Sequence, residues 1–279
     1  MKKILITGES SYIGTSFQEW MEQYPEEYQV EAISVRGNKW KEKAFSEYDV
    51  VYHVAGIAHI KETKENKELY YQVNRDLAYE VAKKSKAEGV SQFIFLSTMS
   101  VYGIDEGVIT RKTPLRPRNT YGKSKQEAEE LIKSLKNFTF KLSIIRPPMI
   151  YGKNCKGNYM LLSRFSKKSF IFPYVENKRS MLHIDNLSYI IKSLIDNCED
   201  GVFCPQNEEV VCTSDLVNKI SIQNNRPILL SRSLYKGLFL FKKITLVKKV
   251  FGNLYYDFND FGNLPRSFEE SIELTEEIS

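Results

Sequence analysis

The chain has 279 residues, of which 42 % are hydrophobic and 27 % are charged. These proportions are average for globular proteins, so they exclude a disordered chain and a collagen-like repeat. The net charge of +5 is too small to indicate nucleic-acid binding, and no apolar run approaches the ~20 residues that cross a bilayer.

The first residues are typical of a buried strand. The apolar run Ile4-Leu5-Ile6 ends at Thr7-Gly8, which makes it too short for the hydrophobic part of a signal peptide. The cysteines at positions 155, 198, 204 and 212 form no Cys-x-x-Cys pair, and there are three histidines. The sequence therefore predicts no metal site and a cytoplasmic location, where thiols stay reduced.

Short strands and helices alternate through the first half of the chain. Strands are predicted at Lys3–Thr7, Val30–Val35, Asp49–Ala55, Gln92–Thr98 and Leu142–Arg146, and helices at Ile13–Tyr24 and Lys67–Glu88. Strands that are apolar on both faces and separated by helices predict an α/β fold with a doubly wound parallel sheet of the Rossmann type. After about residue 150 the elements become shorter. We expect a larger domain over residues 1–150 and a smaller lobe over 151–279, interleaved with it.

A glycine-containing turn joins the first strand to the first helix, with the sequence Thr7-Gly8-Glu9-Ser10-Ser11-Tyr12-Ile13-Gly14. A dinucleotide loop needs a tight turn, a close approach of backbone to diphosphate, and a close contact between helix and strand. Gly8 and Gly14 suit the first and last requirements, whereas Ser11 stands where a middle glycine is expected. Because free N–H groups at a helix N-terminus bind phosphates, the turn predicts a dinucleotide cofactor. The alternative is an ordinary corner between strand and helix.

The residues after the second strand bear on the choice between NAD and NADP. An acidic residue at that point binds the ribose hydroxyls of NAD and repels the 2′-phosphate of NADP. Here the strand ends in Ser34-Val35-Arg36, without a carboxylate. The cofactor is therefore predicted to be NAD or NADP, with Arg36 as a partner for a 2′-phosphate. The alternative is that Arg36 is a solvated surface residue.

A tyrosine and a lysine four residues apart share one helical face at Tyr121 and Lys125. The same spacing occurs at Tyr79/Lys83 and Tyr174/Lys178, but only Tyr121 follows, after one connection, a strand that ends in the hydroxyls Ser97-Thr98. A phenol has a pKa near 10, so a base working near neutrality needs that pKa lowered by ~3 units. Lys125 and an oxidised nicotinamide would do so by stabilising the phenolate. Thr98, Tyr121 and Lys125 are thus the predicted catalytic residues.

Several further stretches resemble the extended short-chain dehydrogenases/reductases, in particular the NAD-dependent epimerase/dehydratase family that includes the UDP-galactose 4-epimerases. They are Thr7–Gly14, His53–Gly56, Val73-Asn74, Leu96–Gly103, Tyr121–Lys125, Arg146–Gly152 and Arg179–Asp185. The resemblance covers about two thirds of the chain. It implies a cofactor-binding first domain, a substrate-binding second lobe, and a nucleotide-diphosphate sugar as substrate.

The resemblance also implies roles for individual residues. Those placed against the cofactor are Gly8, Ser10, Ser11, Tyr12, Ile13, Gly14, Ser34, Arg36, Ala55, Gly56, Asn74, Ser97, Lys125 and Pro148. Those placed against the substrate are Thr98, Met99, Ser100, Tyr121, Asn158 and Arg179. An arginine suits the last position because its planar fork matches phosphate oxygens. For Asn158 the alternative is a helix cap, and for Arg179 a surface ion pair.

Departures from the family pattern limit which of the family's reactions this chain is expected to catalyse. Dehydratases of the family carry an Asp-Glu pair after the threonine, because eliminating water needs an acid and a base. This chain has Met99-Ser100 there, which disfavours dehydration. Met149 stands where the family often has Asn, and the short connection between the second and third strands leaves out the usual adenine contacts.

Three functions stay open at this point. A C4 epimerase oxidises the sugar to a 4-keto intermediate and returns the hydride to the other face. A 4-keto-sugar reductase uses NADPH once and exchanges its cofactor. A non-catalytic cofactor sensor would keep the fold without the chemistry, although such proteins typically lose the tyrosine or lysine that this chain keeps. We favour the epimerase, with a role in surface polysaccharide synthesis implied by the family.

One late segment accounts for the net positive charge of the chain. Between Asp215 and Asp257 there are eight cations and no acidic residue. As a helix, Leu234–Val250 would be basic and amphipathic. It suits a solvated lobe helix, a rim that attracts an anionic substrate, or peripheral contact with a membrane. The family resemblance also implies a homodimer formed through helices near residues 67–88 and 121–136.

Overall fold

The computed structural model describes residues 1–58, 62–239 and 245–277. Its strands are β1 (Lys2–Thr7), β2 (Tyr28–Ile33), β3 (Val50–His53), β4 (Gln92–Leu96), β5 (Gly107–Ile109), β6 (Lys141–Ile145), β7 (Met149–Tyr151), β8 (Ile171–Pro173), β9 (Met181–His183), β10 (Gly201–Phe203), β11 (Leu229–Ser231) and β12 (Leu254–Tyr256). Its helices are α1 (Tyr12–Met21), α2 (Lys67–Tyr71), α3 (Ala78–Ala87), α4 (Thr120–Lys133), α5 (Asn158–Ser166), α6 (Ile184–Asp196), α7 (Thr213–Gln223), α8 (Arg232–Phe239), α9 (Thr245–Phe251) and α10 (Phe268–Glu276).

The chain forms two compact units that interleave in sequence. The first comprises residues 1–103, 115–146 and 188–204, and the second comprises 104–114, 147–187 and 205–279. Within the described residues, no helix combines the length and the apolar character needed to cross a bilayer.

The first unit is built on a six-stranded sheet with the order β10-β6-β4-β3-β1-β2. All neighbouring strands are parallel, so the predicted doubly wound parallel sheet is confirmed. The chain adds β2 on one side of β1 and then β3 on the other. The carboxyl ends of β1 and β3 therefore flank the point where the strand order reverses, which is where open α/β sheets bind ligands.

The strands end earlier than the sequence pattern predicts. β2 stops at Ile33 rather than Val35, and β4 stops at Leu96 rather than Thr98. Ser97 still donates its N–H to Ile145 O at 2.7 Å, but Thr98 then begins a 3-10 turn. Ser97 and Thr98 thus lie just past the end of β4, at the carboxyl edge of the sheet.

The sheet of the first unit is covered by apolar side chains from both strands and helices. Its buried core includes Leu5, Trp40, Phe45, Tyr48, Val51, Val81, Phe93, Phe95, Ala128, Ile132, Phe140 and Ile144. Trp40, Phe45 and Tyr48 come from the short connection between β2 and β3. This connection packs on the sheet through large side chains, which explains how so few residues can close that part of the fold.

The predicted helix over residues 67–88 is interrupted. Residues Gln72–Leu77 form a π-helical turn between α2 and α3. Such a turn inserts one residue and rotates the helix face, and it often occurs at functional sites. Periodicity cannot reveal it, because α2 and α3 each keep the ordinary spacing.

The second unit contains three short parallel ladders, in which β5 pairs with β12, β7 with β9, and β8 with β11. Tyr151 and Tyr159 stack in its core with ring centres 5.1 Å apart. The carboxylate of Glu276, from α10, accepts hydrogen bonds from Tyr159 and Ser163 at 3.0 Å, so its burial is compensated.

The basic segment predicted as one helix over Leu234–Val250 is helical wherever the structure describes it. Its described parts belong to α8 and α9. The central apolar stretch of the prediction reaches residues 240–244, which lie outside the described residues.

Candidate active site

Gly8 brings the loop after β1 against the loop after β3. Its φ is +126°, and a Cβ built there would lie 2.9 Å from the backbone nitrogen of Ala55. A Cβ on Gly14 would likewise lie 3.1 Å from Gly8 O. A side chain at either position would therefore crowd the protein's own atoms, so glycine is favoured at both. Without side chains at these two positions, the backbone near the carboxyl ends of β1 and β3 is less covered.

The first turn of α1 is open to an anion. Ser11 is the N-cap residue, but its side chain makes no capping hydrogen bond. The N–H groups of Ile13 and Gly14 are therefore not taken up by the cap, and they carry the positive end of the helix dipole. The residues predicted to hold a dinucleotide diphosphate fit that group.

Substitution of Gly8 tests this corner. We expect Gly8→Ala to lower the free energy of unfolding by about 1–3 kcal/mol and to weaken NAD binding, because the new Cβ is strained at positive φ and meets immovable backbone. Gly37→Ala is the matched control, since Gly37 also has a positive φ of +68° but no atom within 4 Å of its Cβ position. Thermal melting and NAD titration of both variants should separate the clash with the Ala55 backbone, which only Gly8→Ala has, from the strain of a positive φ, which both variants share. Equal losses in the two variants would contradict the account.

The end of β2 lies beside the same loop. The N–H groups of Gly8 and Glu9 donate to Ile33 O at 2.9 and 3.1 Å, and Ser34 and Arg36 follow. The Arg36 side chain is exposed. The acidic residue of this strand, Glu31, lies inside β2 and binds Lys43 at 2.7 Å. No carboxylate thus occupies the strand end, where a cofactor ribose is expected.

Asn74 holds the loop that follows β3. Its Oδ1 accepts the N–H of Ile57 at 2.7 Å, and its Nδ2 donates to Ile57 O at 3.1 Å and to Ser124 Oγ at 3.2 Å. The side chain is fully buried, and the residue lies in the π-helical turn. Asn74 therefore positions Ala55 and Gly56 through Ile57 and connects that loop to α4.

Thr98 joins β4 to the 3-10 turn Met99–Tyr102. Its backbone is extended, and its Oγ1 accepts the N–H of Ser100 at 3.2 Å. Met99 is buried and Ser100 half-buried. The turn thus places one hydroxyl group at the carboxyl end of the sheet, without a carboxylate at residues 99–100.

Tyr121 and Lys125 lie in the first two turns of α4. Asn119 caps this helix by accepting the N–H of Gly122 at 2.7 Å. A Cβ on Gly122 would lie 2.7 Å from Ser100 O, so only glycine lets α4 approach the 3-10 turn this closely. Thr98, which precedes that turn, lowers the pKa of the Tyr121 phenol through its hydroxyl, although burial outweighs this effect. The sequence analysis missed the role of Gly122, although a glycine in the first turn of a helix is a usable signal.

The Lys125 ammonium is buried at the centre of these elements. Its Nζ donates to Leu96 O at 2.8 Å and lies 4.7 Å from the ring centre of Phe95. A Cβ on Gly56 would lie 3.3 Å from the same Nζ. Burial lowers the pKa of Lys125 to about 8, while Glu129 one turn further along opposes this shift. The amine therefore stays charged at neutral pH, but only by a narrow margin.

The protein's own groups do not make Tyr121 acidic. Burial raises the pKa of this phenol, the hydrogen bond with Thr98 lowers it, and Tyr70, with its ring centre 6.5 Å away, raises it. Together these effects raise the pKa of Tyr121 above its ordinary value. A phenolate at residue 121 therefore requires a further positive charge, and oxidised nicotinamide carries one.

A buried ion pair between Glu129 and Arg146 lies close to the site residues Ser97 and Lys125. The Glu129 carboxylate, fully buried, accepts from Arg146 Nε at 3.0 Å and from Ser97 Oγ. Arg146 Nη1 also donates to Tyr102 Oη at 3.1 Å. The Ser97 hydroxyl is thus engaged with Glu129. Sequence reasoning missed Glu129, although its spacing from Tyr121 and Lys125 places it on their face of α4.

The remaining predicted residues fall in the second unit. Asn158 is the exposed first residue of α5, whose N-cap is Gly157, and Pro148 is buried between β6 and β7. Arg179 is half-buried and donates to Gly252 O at 2.9 Å. Within the described part of the chain it has no ion-pair partner, and burial lowers its pKa. Such a guanidinium is suited to an anionic ligand.

Residues 4–202 match the model of the NAD-dependent epimerase/dehydratase family. The chain belongs to this family. The family is NAD(P)-dependent, so the predicted cofactor class and the prediction of an NAD(P)-dependent epimerase are confirmed.

Two curated relatives support the assignment. The chain is 30 % identical over 255 residues to a UDP-glucose 4-epimerase of Vibrio cholerae, with 81 % of this chain and 77 % of the relative covered. It is 30 % identical over 217 residues to N-acetyl-alpha-D-glucosaminyl-diphospho-ditrans,octacis-undecaprenol 4-epimerase of Escherichia coli O157:H7, with 71 % and 64 % covered.

Two solved structures share the fold. The UDP-glucuronic acid 4-epimerase of Bacillus cereus in complex with NAD has a TM-score of 0.74 at 18 % identity, covering 98 % of this chain and 97 % of that one. The dTDP-4-dehydrorhamnose reductase of Bacillus anthracis in complex with NADP has a TM-score of 0.72 at 22 % identity, covering 98 % of both chains. At this identity both likenesses show the fold alone.

Proposed function

We propose that this protein is a nucleotide-sugar 4-epimerase that acts on a UDP-sugar. The observation that carries the proposal is the placement of Tyr121 and Lys125 one turn apart on α4, with Thr98 at the carboxyl edge of the parallel sheet and the buried Lys125 ammonium donating to Leu96 O at 2.8 Å. Its relatives from Vibrio cholerae and Escherichia coli are both named 4-epimerases.

In this proposal, Thr98 and Tyr121 both contact the C4 oxygen of the sugar. Thr98 orients that oxygen, and Tyr121 takes its proton as the C4–O bond becomes a ketone. Lys125 stabilises the phenolate electrostatically and is held in place by Leu96 O. Bound NAD(P) supplies the hydride acceptor and, in the reverse step, the hydride donor. Tyr121 would return the same proton to the C4 oxygen when the ketone is reduced again, so no net oxidation would remain.

Dehydration fits the site poorly. Elimination of water needs an acid for the leaving hydroxyl and a base for a carbon-bound proton. Met99 and Ser100 occupy the turn after Thr98, and neither side chain transfers protons near neutral pH. An epimerase needs only the single proton exchange that Tyr121 can provide.

Arg179 suits the diphosphate of the substrate. It is a half-buried cation whose pKa is lowered by burial, and the described residues offer it no carboxylate. An anion at this position would relieve that desolvation. Asn158 belongs to the same unit and stays a predicted contact of the substrate.

The proposal is tested with purified protein and UDP-galactose or UDP-N-acetylglucosamine, both without added cofactor and with NAD. We expect interconversion of the C4 isomers and no net change in nicotinamide absorbance. The result that would overturn the proposal is no interconversion in either condition, together with consumption of NADPH when a 4-keto sugar nucleotide is supplied.

That second result would identify the alternative, a 4-keto-sugar reductase. One observation favours it, namely the exposed guanidinium of Arg36 at a strand end without a carboxylate. We expect Arg36→Asp to raise the dissociation constant for NADP by at least about tenfold, because one phosphate contact is lost and a repulsive charge is added. Binding of NAD should change little. Calorimetric titration of both cofactors checks this expectation, and unchanged NADP affinity would mean that Arg36 does not contact a 2′-phosphate.

A further inference from the structure

A set of apolar and basic side chains is exposed on the second unit. We call it the Phe170 patch, and it consists of Lys168, Phe170, Ile171, Arg226 and Leu229. Phe170 is 83 % exposed, Leu229 65 % and Ile171 39 %, and both cations are exposed. Large apolar side chains that are exposed together mark an interaction surface more often than isolated ones do.

Two chain segments build the patch side by side. Ile171 is the register partner of Leu229 in the β8–β11 ladder, and the Leu229 N–H donates to Phe170 O at 2.8 Å. Arg226 Nη1 donates to Lys167 O at 2.8 Å. The backbone therefore fixes the spacing between the apolar side chains and Arg226, and no loop movement is needed to assemble them.

The neighbouring side chains show that the apolar residues are not part of a core. Phe172, next along β8, is buried against Val217 and Ile228. Since side chains alternate along a strand, Ile171 and its partner Leu229 point away from that core. A cleft of about 380 Å³ lies between the two segments and is lined by Lys167, Lys168, Ser169, Phe170, Asn225, Arg226 and Pro227.

The surroundings of the patch are positively charged. Residues 158–175 and 216–235 contain no Asp or Glu and carry six cations: Arg164, Lys167, Lys168, Lys219, Arg226 and Arg232. Lys167, Lys219 and Arg232 have ion-pair partners elsewhere in the unit. Among the described residues, none provides a carboxylate to Arg164, Lys168 or Arg226. The patch therefore keeps uncompensated positive charge next to exposed apolar surface.

We propose that the Phe170 patch docks this protein on a membrane surface that contains anionic lipid. Phe170 and Leu229 would enter the interfacial region, and Lys168 and Arg226 would bind headgroup phosphates. Apolar side chains bordered by cations are the combination that binds an anionic bilayer surface. A protein partner is a poorer match, because lysine is depleted in the centres of protein interfaces. The proposal does not depend on the sugar specificity of the enzyme.

The test is co-sedimentation of the full-length protein with vesicles of phosphatidylcholine alone and of phosphatidylcholine with phosphatidylglycerol in equal parts. We expect binding to the anionic vesicles at low salt and weaker binding at high salt. Lys168→Glu/Arg226→Glu and Phe170→Ser/Leu229→Ser should each lower the partition coefficient by at least about tenfold. The matched controls are Lys83→Glu/Lys112→Glu and Phe138→Ser, which change exposed residues outside the patch.

Each outcome decides the proposal. Loss of vesicle binding in the patch variants, with controls like the wild type, supports it. No binding by the wild type, equal binding to both vesicle types at all salt concentrations, or full binding by the patch variants overturns it. Self-association that the patch variants abolish, without vesicle binding, would assign the patch to a second copy instead. All variants should keep wild-type turnover of a soluble UDP-sugar, so a failure of the epimerase proposal is recognised separately.

Discussion

Replacing Tyr121 by Phe is expected to lower kcat by about 10³-fold, because the change removes the hydroxyl that we propose exchanges a proton with the sugar oxygen. The ring stays in place, so packing against Tyr70 and binding of NAD(P) should be kept. The measurement is kcat for the UDP-sugar in the steady state, together with cofactor affinity.

Tyr70→Phe is the matched control for this prediction. Tyr70 is a buried tyrosine with its ring centre 6.5 Å from that of Tyr121, and the proposed mechanism gives it no proton transfer. We expect this variant to retain most of the wild-type turnover. Comparable losses in the two variants would mean that the local aromatic packing matters, and not the Tyr121 hydroxyl. Activity retained by Tyr121→Phe would remove Tyr121 from the mechanism.

Replacing Lys125 by Met is expected to make the protein more stable and nearly inactive. Burial lowers the pKa of Lys125 from 10.5 to about 8 in the folded protein, so below pH 8 the folded state bears a charge that the unfolded state accommodates better. At ~1.4 kcal/mol per pKa unit, and after loss of the hydrogen bond to Leu96, Met should stabilise the protein by about 2 kcal/mol at pH 7. Turnover should fall by about 10²–10³-fold, since the phenolate loses its electrostatic support.

The pH dependence of unfolding tests whether Lys125→Met stabilises the protein for the reason given. Since the folded pKa lies below the unfolded one, the unfolded state binds more protons between about pH 8 and 10.5, and the destabilisation disappears as the pH rises through that window. The advantage of Lys125→Met should therefore be complete at pH 7 and shrink above pH 8. Lys123→Met, at an exposed lysine of the same helix, should show no such advantage. Thermal melts across this range check both points, and a lower melting temperature for Lys125→Met at pH 7 would contradict the pKa shift.

The sequence predicted five of the six strands of the sheet, because β1, β3, β4 and β6 are rich in buried apolar residues. It did not predict β10, which has three residues and an exposed valine. The sequence also predicted the glycine-containing turn at the end of β1. The structure requires glycine at position 8 because its φ is positive and the backbone of Ala55 lies close to it. The strand ends were less accurate. Hydrogen bonds between neighbouring strands decide where β2 and β4 stop, and composition does not show them.

What the sequence could not predict depends on contacts between distant segments. Asn74 is buried within a π-helical turn that the residue spacing does not show, and α4 can approach the 3-10 turn closely because residue 122 is glycine. The buried pair of Glu129 and Arg146 joins residues 17 positions apart. The roles of the individual site residues, the domain boundaries and the homodimer stay predictions.

The central claim is that Tyr121 becomes a proton acceptor because Lys125 and oxidised nicotinamide outweigh the burial of its phenol. The most direct test is an ultraviolet difference titration of the NAD-loaded protein, in which the Tyr121→Phe spectrum is subtracted from that of the wild type. The account predicts that residue 121 ionises with a pKa well below the ordinary value near 10, and that Lys125→Met raises this pKa again. An ionisation at or above 10 in the NAD-loaded wild type, unchanged by Lys125→Met, would contradict it.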